Sequence, residues 1–200
     1  MLARAFAAGV PAQWVTADEV YGNDSKLRRW LHAQERAYVL AVSRAHLIWS
    51  SETWTQERVE TTIAALPAEE WQRLSVGDGS KGPRVYDGAA IRLPFDSPEG
   101  WGQGVLARRS LSEGQEIAYY RVFAPTHTPV AILVQVAGTR PTIETGFERA
   151  KGEVGLDEYE VRRWEAWHRH ITFALLADAY LAVTRMHAVA SEKKGAVVTT

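Results

Sequence analysis

The stretch from Arg140 to Lys151 holds residues whose types and spacing could do phosphate chemistry. Arg140, Glu144 and Lys151 recur at intervals of four and seven positions. At about 100° per residue, a helix puts Glu144 about 40° and Lys151 about 20° from Arg140, so the three share one face. There a carboxylate can ligate a hard cation while the two cations neutralise phosphate oxygens. The commoner role of such a face is a set of solvated ion pairs, and the pattern alone leaves both interpretations open.

Asp18 is the second candidate. It directly follows QWVTA, which is short and compatible with a β-strand. Open α/β sheets place their chemistry beyond the carboxyl ends of their strands, which is where Asp18 would lie. An aspartate in this position is also a common turn or cap residue. The two carboxylates become a stronger candidate site if Asp18 and Glu144 approach one point.

Residues 13–43 predict a strand, a helix and a second strand. Asp24 and Ser25 form a plausible N-cap, and the helix that follows has Leu27, Trp30 and Leu31 on one face. The segment AYVLAVS then runs apolar without alternation, which is typical of a strand covered on both faces. We therefore expect two parallel strands joined by a right-handed helical crossover.

The rest of the chain changes character twice. Residues 51–76 predict helix, broken at Leu66-Pro67, and residues 77–125 predict short antiparallel strands separated by Gly- and Pro-rich turns. Thr128-Pro129 predicts the start of a helix or buried strand that ends at Gly138. Two long helices follow, the first weakened by Gly146 and the second preceded by a capping-box pattern from Asp157 to Glu160.

The composition narrows the functional classes. The net charge of −1 gives no overall basic excess, so contact with nucleic acid would depend on local clusters of Arg and Lys. Cysteine is absent, which removes disulfides and thiolate chemistry and suits a cytoplasmic protein. The sequence has no long apolar run, so neither a transmembrane helix nor a membrane partner is expected.

Several motifs together resemble one family. The segments WVTADEVYG, WQRLSVGDGSKGPRVYD and TRPTIETGFERAKGEVGLDEYEVRRW resemble DDE transposases of bacterial insertion sequences, most closely the insertion-sequence 701 type, over nearly the whole chain. In the wider group the last segment carries Tyr, two residues, Arg, three residues, Glu, six residues and Lys. Arg140, Glu144 and Lys151 match that spacing, and Ala137 stands at the Tyr position.

The resemblance implies a fold and an activity. The fold would be α/β, a partial RNase H-like domain over residues 1–50 and 126–200, with a β-rich insertion over 51–125 and long C-terminal helices. Asp18 and Glu144 would hold Mg²⁺ or Mn²⁺ for DNA cleavage and strand transfer, and Arg140 and Lys151 would contact the DNA backbone. The partners would be the transposon ends and the target DNA.

The family pattern also includes an earlier aspartate on the first strand of the domain. Seventeen residues precede Asp18 here, and none of them is Asp or Glu. The resemblance thus implies a C-terminal part whose first strands are missing, inactive alone, and prone to fold poorly or to associate with itself or with intact transposase. The alternative function is that of an inactive remnant that binds DNA or inhibits the intact enzyme.

Overall fold

The fold is described from a computed structural model of the chain. It describes residues 1–50, 54–79, 82–111 and 116–197, without the side chains of 76–79, 82–83, 141–142 and 189–197. The chain divides into two compact units, Met1–Arg140 and Pro141–Thr200. Each unit has its own elements and is described by itself.

The first unit is built on a six-stranded sheet in the order β1-β2-β8-β7-β6-β5. The strands β1 and β2 are parallel, and all other neighbours in this sheet are antiparallel. The sheet is therefore mixed, and the protein belongs to the mixed α/β class. The strands are β1 (Trp14–Ala17), β2 (Ala37–Val42), β5 (Gln72–Gly79), β6 (Gly82–Arg92), β7 (Trp101–Ser110) and β8 (Ile117–Pro125). A small separate pair consists of β3 (Leu47–Trp49) and β4 (Gln56–Arg58).

The predicted strand, helix and strand of residues 13–43 are confirmed, including the parallel pairing of the two strands. Helix α3 (Ser25–Ala33) connects them, and the carboxylate of Asp24 caps it by accepting a hydrogen bond from the Lys26 amide at 2.7 Å. Between β1 and α3 the chain makes one further short helix, α2 (Glu19–Gly22). Ahead of β1, α1 (Leu2–Ala7) stacks the ring of Phe6 on Trp30 of α3.

The sheet is covered on both faces because its strands alternate apolar side chains to each side. On one face, α5 (Val130–Ala137) packs Leu133 and Val134 against Val39, Leu106 and neighbouring side chains. On the other face, α3 packs Leu31 over Tyr38, Leu40 and Phe123, and the β3–β4 pair packs with α4 (Val59–Ala64) over Val105 and Ala107.

The second unit contains two helices, α6 (Arg140–Val154), which begins at the last residue of the first unit, and α7 (Trp164–Val197). Ala150 of α6 packs with Leu156 and Ala174, and paired hydrogen bonds of 2.8 and 2.9 Å join Arg149 to Asp178. These contacts fix the two helices of the unit to each other. The long C-terminal helices expected from the sequence are confirmed.

Three sequence expectations need correction. The segment 51–76 is helical only over α4 and a 3₁₀ turn at Ala68–Glu70. The rest of it includes β4 and the first half of β5, which are strands. Residues 51–53 lie outside the described residues. Helix α5 begins at Val130, after Pro129, and α7 begins at Trp164 rather than after Asp157. The strands of 77–125 are antiparallel as predicted, and β8 pairs directly with β2. The division into an RNase H-like domain and an insertion stays a prediction.

Candidate functional site

Asp18 lies immediately after β1, at the carboxyl end of the parallel β1–β2 pair. Its Oδ1 accepts hydrogen bonds from the backbone amides of Val20 and Tyr21, at 3.1 and 3.3 Å. Asp18 is thus the N-cap of α2, as the cap interpretation of the sequence requires. Both bonds use one carboxylate oxygen, so capping and ligation of a cation through Oδ2 are chemically compatible.

Helix α2 holds Asp18 in place by lying very close to the sheet. Its last residue, Gly22, is buried, and a Cβ added there would lie 1.8 Å from the carbonyl oxygen of Ala41 on β2. Only glycine permits this approach of helix backbone to strand backbone. Arg28 of α3 also donates a hydrogen bond to the carbonyl oxygen of Gly22. The position of the Asp18 carboxylate therefore depends on backbone packing about one helical turn further along the chain, at Gly22.

The stripe of Arg140, Glu144 and Lys151 falls on one helix, α6, as predicted. Glu144 and Lys151 are exposed, and so is Phe147 between them, with 51% of its surface accessible. The residues of α6 that contact α7, Arg149 and Ala150, lie roughly 80–180° around the helix from this stripe. The stripe therefore faces away from the partner helix of its own unit.

Each cation of the stripe already has an electrostatic role. The Nζ of Lys151 lies 3.8 Å from Oδ2 of Asp157, and both side chains are about half exposed. Arg140 acts on Tyr120. Burial raises the pKa of the Tyr120 hydroxyl, and the charges of Arg108 and Arg140 oppose that rise. The Lys151–Asp157 pair is a solvated ion pair, the commoner role of such a helix face, and such a pair opens at little cost.

The predicted site residues divide between the two units. Asp18 and Arg140 belong to the first, whereas Glu144 and Lys151 belong to the second. That Asp18 and Glu144 meet at one cation stays a prediction. Within residues 1–50, 54–79, 82–111 and 116–197, no group of three or more His, Asp or Glu side chains is arranged to hold a metal ion. In that same part of the chain, no helix is long and apolar enough to cross a membrane.

The structure reveals a basic cluster of Arg28 and Arg121, of which the sequence reasoning missed Arg121. Arg121 on β8 is only 5% exposed, and it extends from the sheet face that α3 covers. Its Nη2 donates to Oε1 of Gln103 at 3.2 Å, and its guanidinium lies 5.8 Å from the ring centre of Phe95. Burial and the nearby charge of Arg28 lower the pKa of Arg121 to about 10, so it stays protonated at neutral pH.

Two histidines next to this cluster are held neutral. Burial, followed by the charges of Arg121 and Arg28, lowers the pKa of His32 and of His46 to about 4. His32 Nε2 lies 2.8 Å from the hydroxyl of Tyr38, and His46 Nδ1 lies 2.9 Å from Oδ1 of Asn23. The positive charge of the cluster thus belongs to the arginines.

One sequence signal could have found Arg121. The strand IAYYRVFAP places Arg121 in register with Tyr119 and Phe123, on a face whose other members are large and apolar. A lone arginine at a core-facing strand position is unusual, because burying an unpaired charge is costly.

Comparison with known proteins gives no family assignment. No family of known proteins matches the chain, and no curated protein matches it either. The structure therefore defines the class, a mixed α/β protein with a mixed sheet.

Proposed function

We propose that this chain is the C-terminal part of a cytoplasmic, metal-dependent DNA transposase of the DDE class. The observation that carries the proposal is the position of Asp18 at the carboxyl end of the parallel strand pair. That end of a parallel sheet is where α/β enzymes gather their reactive groups. In this proposal the β1–α3–β2 unit is the remaining parallel part of an RNase H-like domain.

The donor chemistry of the proposed site suits Mg²⁺ or Mn²⁺. Asp18 and Glu144 would hold the metal, because hard cations prefer carboxylate oxygens. DDE chemistry uses two such ions. When bound, they would activate a water or a DNA 3′-hydroxyl and stabilise the oxygen that leaves the scissile phosphate. The carboxylate that a DDE site needs besides these two would come from a strand outside these 200 residues.

Arg140 and Lys151 would contact the phosphates next to the cut. They share a helix face with Glu144, and that face is turned away from α7. A DNA phosphate could replace Asp157 as the partner of Lys151, because the existing pair is solvent-exposed. Neutralising phosphates in this way positions DNA without reading its sequence.

The test begins with the DNA upstream of the Met1 codon. We expect a continuation, in frame or frameshifted, that encodes a strand with an aspartate. The longer protein is then assayed for strand transfer of transposon-end DNA with Mg²⁺ or Mn²⁺. We expect activity that falls at least about a hundredfold in Asp18→Asn and in Glu144→Gln, because each loses a metal ligand.

Asp24→Asn is the matched control for Asp18→Asn. Both residues cap a short helix that follows β1, but only Asp18 lies at the strand end. Asparagine caps helices about as well as aspartate, so both variants should fold. Activity that survives Asp18→Asn, or that Asp24→Asn removes equally, would contradict the assigned role.

The alternative function, an inactive remnant that inhibits intact transposase, has a different outcome. The outer edge of β1 is the feature that favours it, since β1 pairs only with β2 among the described residues. An unpaired edge can add to a strand of another chain. Loss of transposition when the 200-residue chain is mixed in equal amount with an intact enzyme would support the regulator, and unchanged transposition would rule it out.

A further inference from the structure

An open cleft of about 470 Å³ lies on the α3 side of the sheet in the first unit. Arg121 on β8 and Gln103 on β7 contribute to it from the sheet, α3 contributes Arg28, Arg29 and His32, and β3 contributes Trp49. The cleft therefore lies between the helix of the parallel strand unit and the small β3–β4 pair. Its volume is in the range of clefts that bind small ligands.

The charge of this cleft is positive. Three of its side chains are guanidiniums, and Asp96 is its one carboxylate. His32 adds no charge at neutral pH, because burial and the charges of Arg121 and Arg28 lower its pKa to about 4. The Arg121 guanidinium forms no ion pair with any carboxylate in the described part of the chain.

Arg121 is also short of hydrogen bonds. Its Nε is buried and has no protein partner in the described part of the chain, and its one hydrogen bond goes to a neutral amide oxygen. Buried charges in proteins are ordinarily paired and hydrogen-bonded, because an unpaired one destabilises the fold. A buried guanidinium without a carboxylate partner in the described part of the chain, beside two further arginines, offers positive charge to an anion.

We propose that this cleft, with Arg121 at its floor and Arg28 and Arg29 at its wall, binds a phosphate group. Phosphate fits because arginine presents a planar fork of donors that matches two phosphate oxygens. The phosphate is that of a free anion or of a nucleic-acid strand. The proposal does not rest on the transposase assignment, since the cleft contains none of the predicted catalytic residues.

The test uses the whole 200-residue chain and inorganic phosphate as the probe. The melting temperature is followed as phosphate replaces chloride at constant ionic strength, and the affinity is measured by isothermal titration calorimetry. We expect a saturable rise in the melting temperature with one phosphate bound per chain. A ligand that binds only the folded state must stabilise it in this way.

Two variants locate the binding. The amide oxygen of Gln103 lies 3.2 Å from Nη2 of Arg121, so Gln103→Glu puts a carboxylate oxygen at that position. The carboxylate competes with phosphate for the guanidinium, which stays in place. Arg121→Met removes the guanidinium. Each should weaken phosphate binding about tenfold or more, as expected for the loss of a charged hydrogen bond. Circular dichroism checks that each folds, and Gln103→Glu carries the test if Arg121→Met does not.

Arg108→Met is the matched control. Arg108 lies on the opposite face of the sheet, stacked 4.4 Å from the ring centre of Tyr86, so phosphate binding should be unchanged. Short DNA strands with and without a 5′-phosphate separate the sources of the group. Preference for the phosphorylated strand assigns a strand end, equal binding assigns an internal phosphodiester, and binding of inorganic phosphate alone assigns a free anion.

Two results would overturn the proposal. One is the absence of any saturable effect from all three probes. The other is phosphate binding that persists in folded Gln103→Glu and Arg121→Met, or that is lost equally in Arg108→Met.

Discussion

Among the described side chains of the first unit, two charged ones are buried in the sheet, and their charges are compensated very differently. Asp87 is 8% exposed and contacts two arginines, with 3.0 Å from Arg73 Nε to Oδ1 and 3.2 Å from Arg109 Nη2 to Oδ2. Arg121 is 5% exposed and has a single amide oxygen as hydrogen-bond partner. The two arginines neutralise the charge of Asp87, whereas the charge of Arg121 is left for a ligand.

Gly22 offers the sharpest test of how Asp18 is positioned. We predict that Gly22→Ala lowers the free energy of unfolding by about 3 kcal/mol or more, because its Cβ would overlap the carbonyl oxygen of Ala41 and push α2 off the sheet. Urea unfolding followed by circular dichroism measures the change.

Gly146→Ala is the same substitution in an open position. A Cβ at Gly146, inside α6, meets no atom within 4 Å, so alanine should raise the stability of its unit by about 1 kcal/mol through helix propensity. Equal effects of the two substitutions would show that the contact between Gly22 and Ala41 is not what restricts the helix.

At the scale of elements, the ion pairs of Asp87 join three neighbouring strands. Arg73 lies on β5, Asp87 on β6 and Arg109 on β7, and Arg109 also stacks over Trp71 with 4.3 Å to its ring centre. The carboxylate therefore fixes the register of β5 and β7 on either side of β6.

The same carboxylate predicts a pH dependence of stability. Hydrogen bonds from Arg73, and then from Arg109, hold the pKa of Asp87 below its usual range. Because the folded-state pKa is the lower one, this stabilisation is complete above the unfolded-state value near 3.9 and is lost as the pH falls through the folded-state pKa. We expect Asp87→Asn to lower the free energy of unfolding by about 1–2 kcal/mol at pH 7.

Urea melts at several pH values measure this effect. The difference between the native protein and Asp87→Asn should shrink as the pH falls below about 4. Glu99→Gln, at an exposed position, should leave the curve unchanged. A difference that stays constant down to pH 2 would mean that the lost ion pairs are not its cause.

Local signals predicted the elements where they were strong. Asp24 caps α3 as expected, and the apolar run from Ala37 to Val42 forms the strand buried on both faces. The helix predicted over residues 51–76 was wrong outside α4 and the 3₁₀ turn, because strand pairing decided the structure of β4 and β5. Leu74 faces the α5 side of the sheet only because β5 pairs with β6 along its length.

The sequence predicted the positions of the candidate site residues only within their own helix or strand. The spacing of Glu144 and Lys151 fixes their common face once α6 is a helix, and Asp18 follows from the end of β1. The cleft around Arg121 was beyond reach, because it needs the register of β8 against β7 and the placement of α3 and β3 over it. Such contacts between distant segments leave no periodic trace in a sequence.

At the scale of the whole molecule, self-association stays a prediction, and two surfaces supply a physical basis for it. One is the outer edge of β1. The other is an exposed apolar stripe on α7, with residues at intervals of three and four that share a face away from α6: Phe173, Leu176, Tyr180 and Val183. Exposed stripes of this spacing are typical of helices that pair.

We predict that the chain forms dimers or larger species at micromolar concentration and that Leu176→Lys shifts it toward the monomer. A charge at the centre of the stripe cannot be buried cheaply between two helices. Sedimentation equilibrium measures the mass. Leu111→Lys makes the same change at an exposed leucine of the first unit and should have no effect. A monomer with one cooperative melt would contradict the prediction.

The position of β2 between β1 and β8 has a consequence for how the protein is made. Tyr38 of β2 pairs with Phe123 of β8, about 85 positions later, so the sheet cannot close until most of the first unit has left the ribosome. At about 5–20 residues per second, the nascent strand waits roughly 4–17 s with one side unpaired. Over that interval its unpaired backbone N–H and C=O groups are open to chaperones and to other nascent chains.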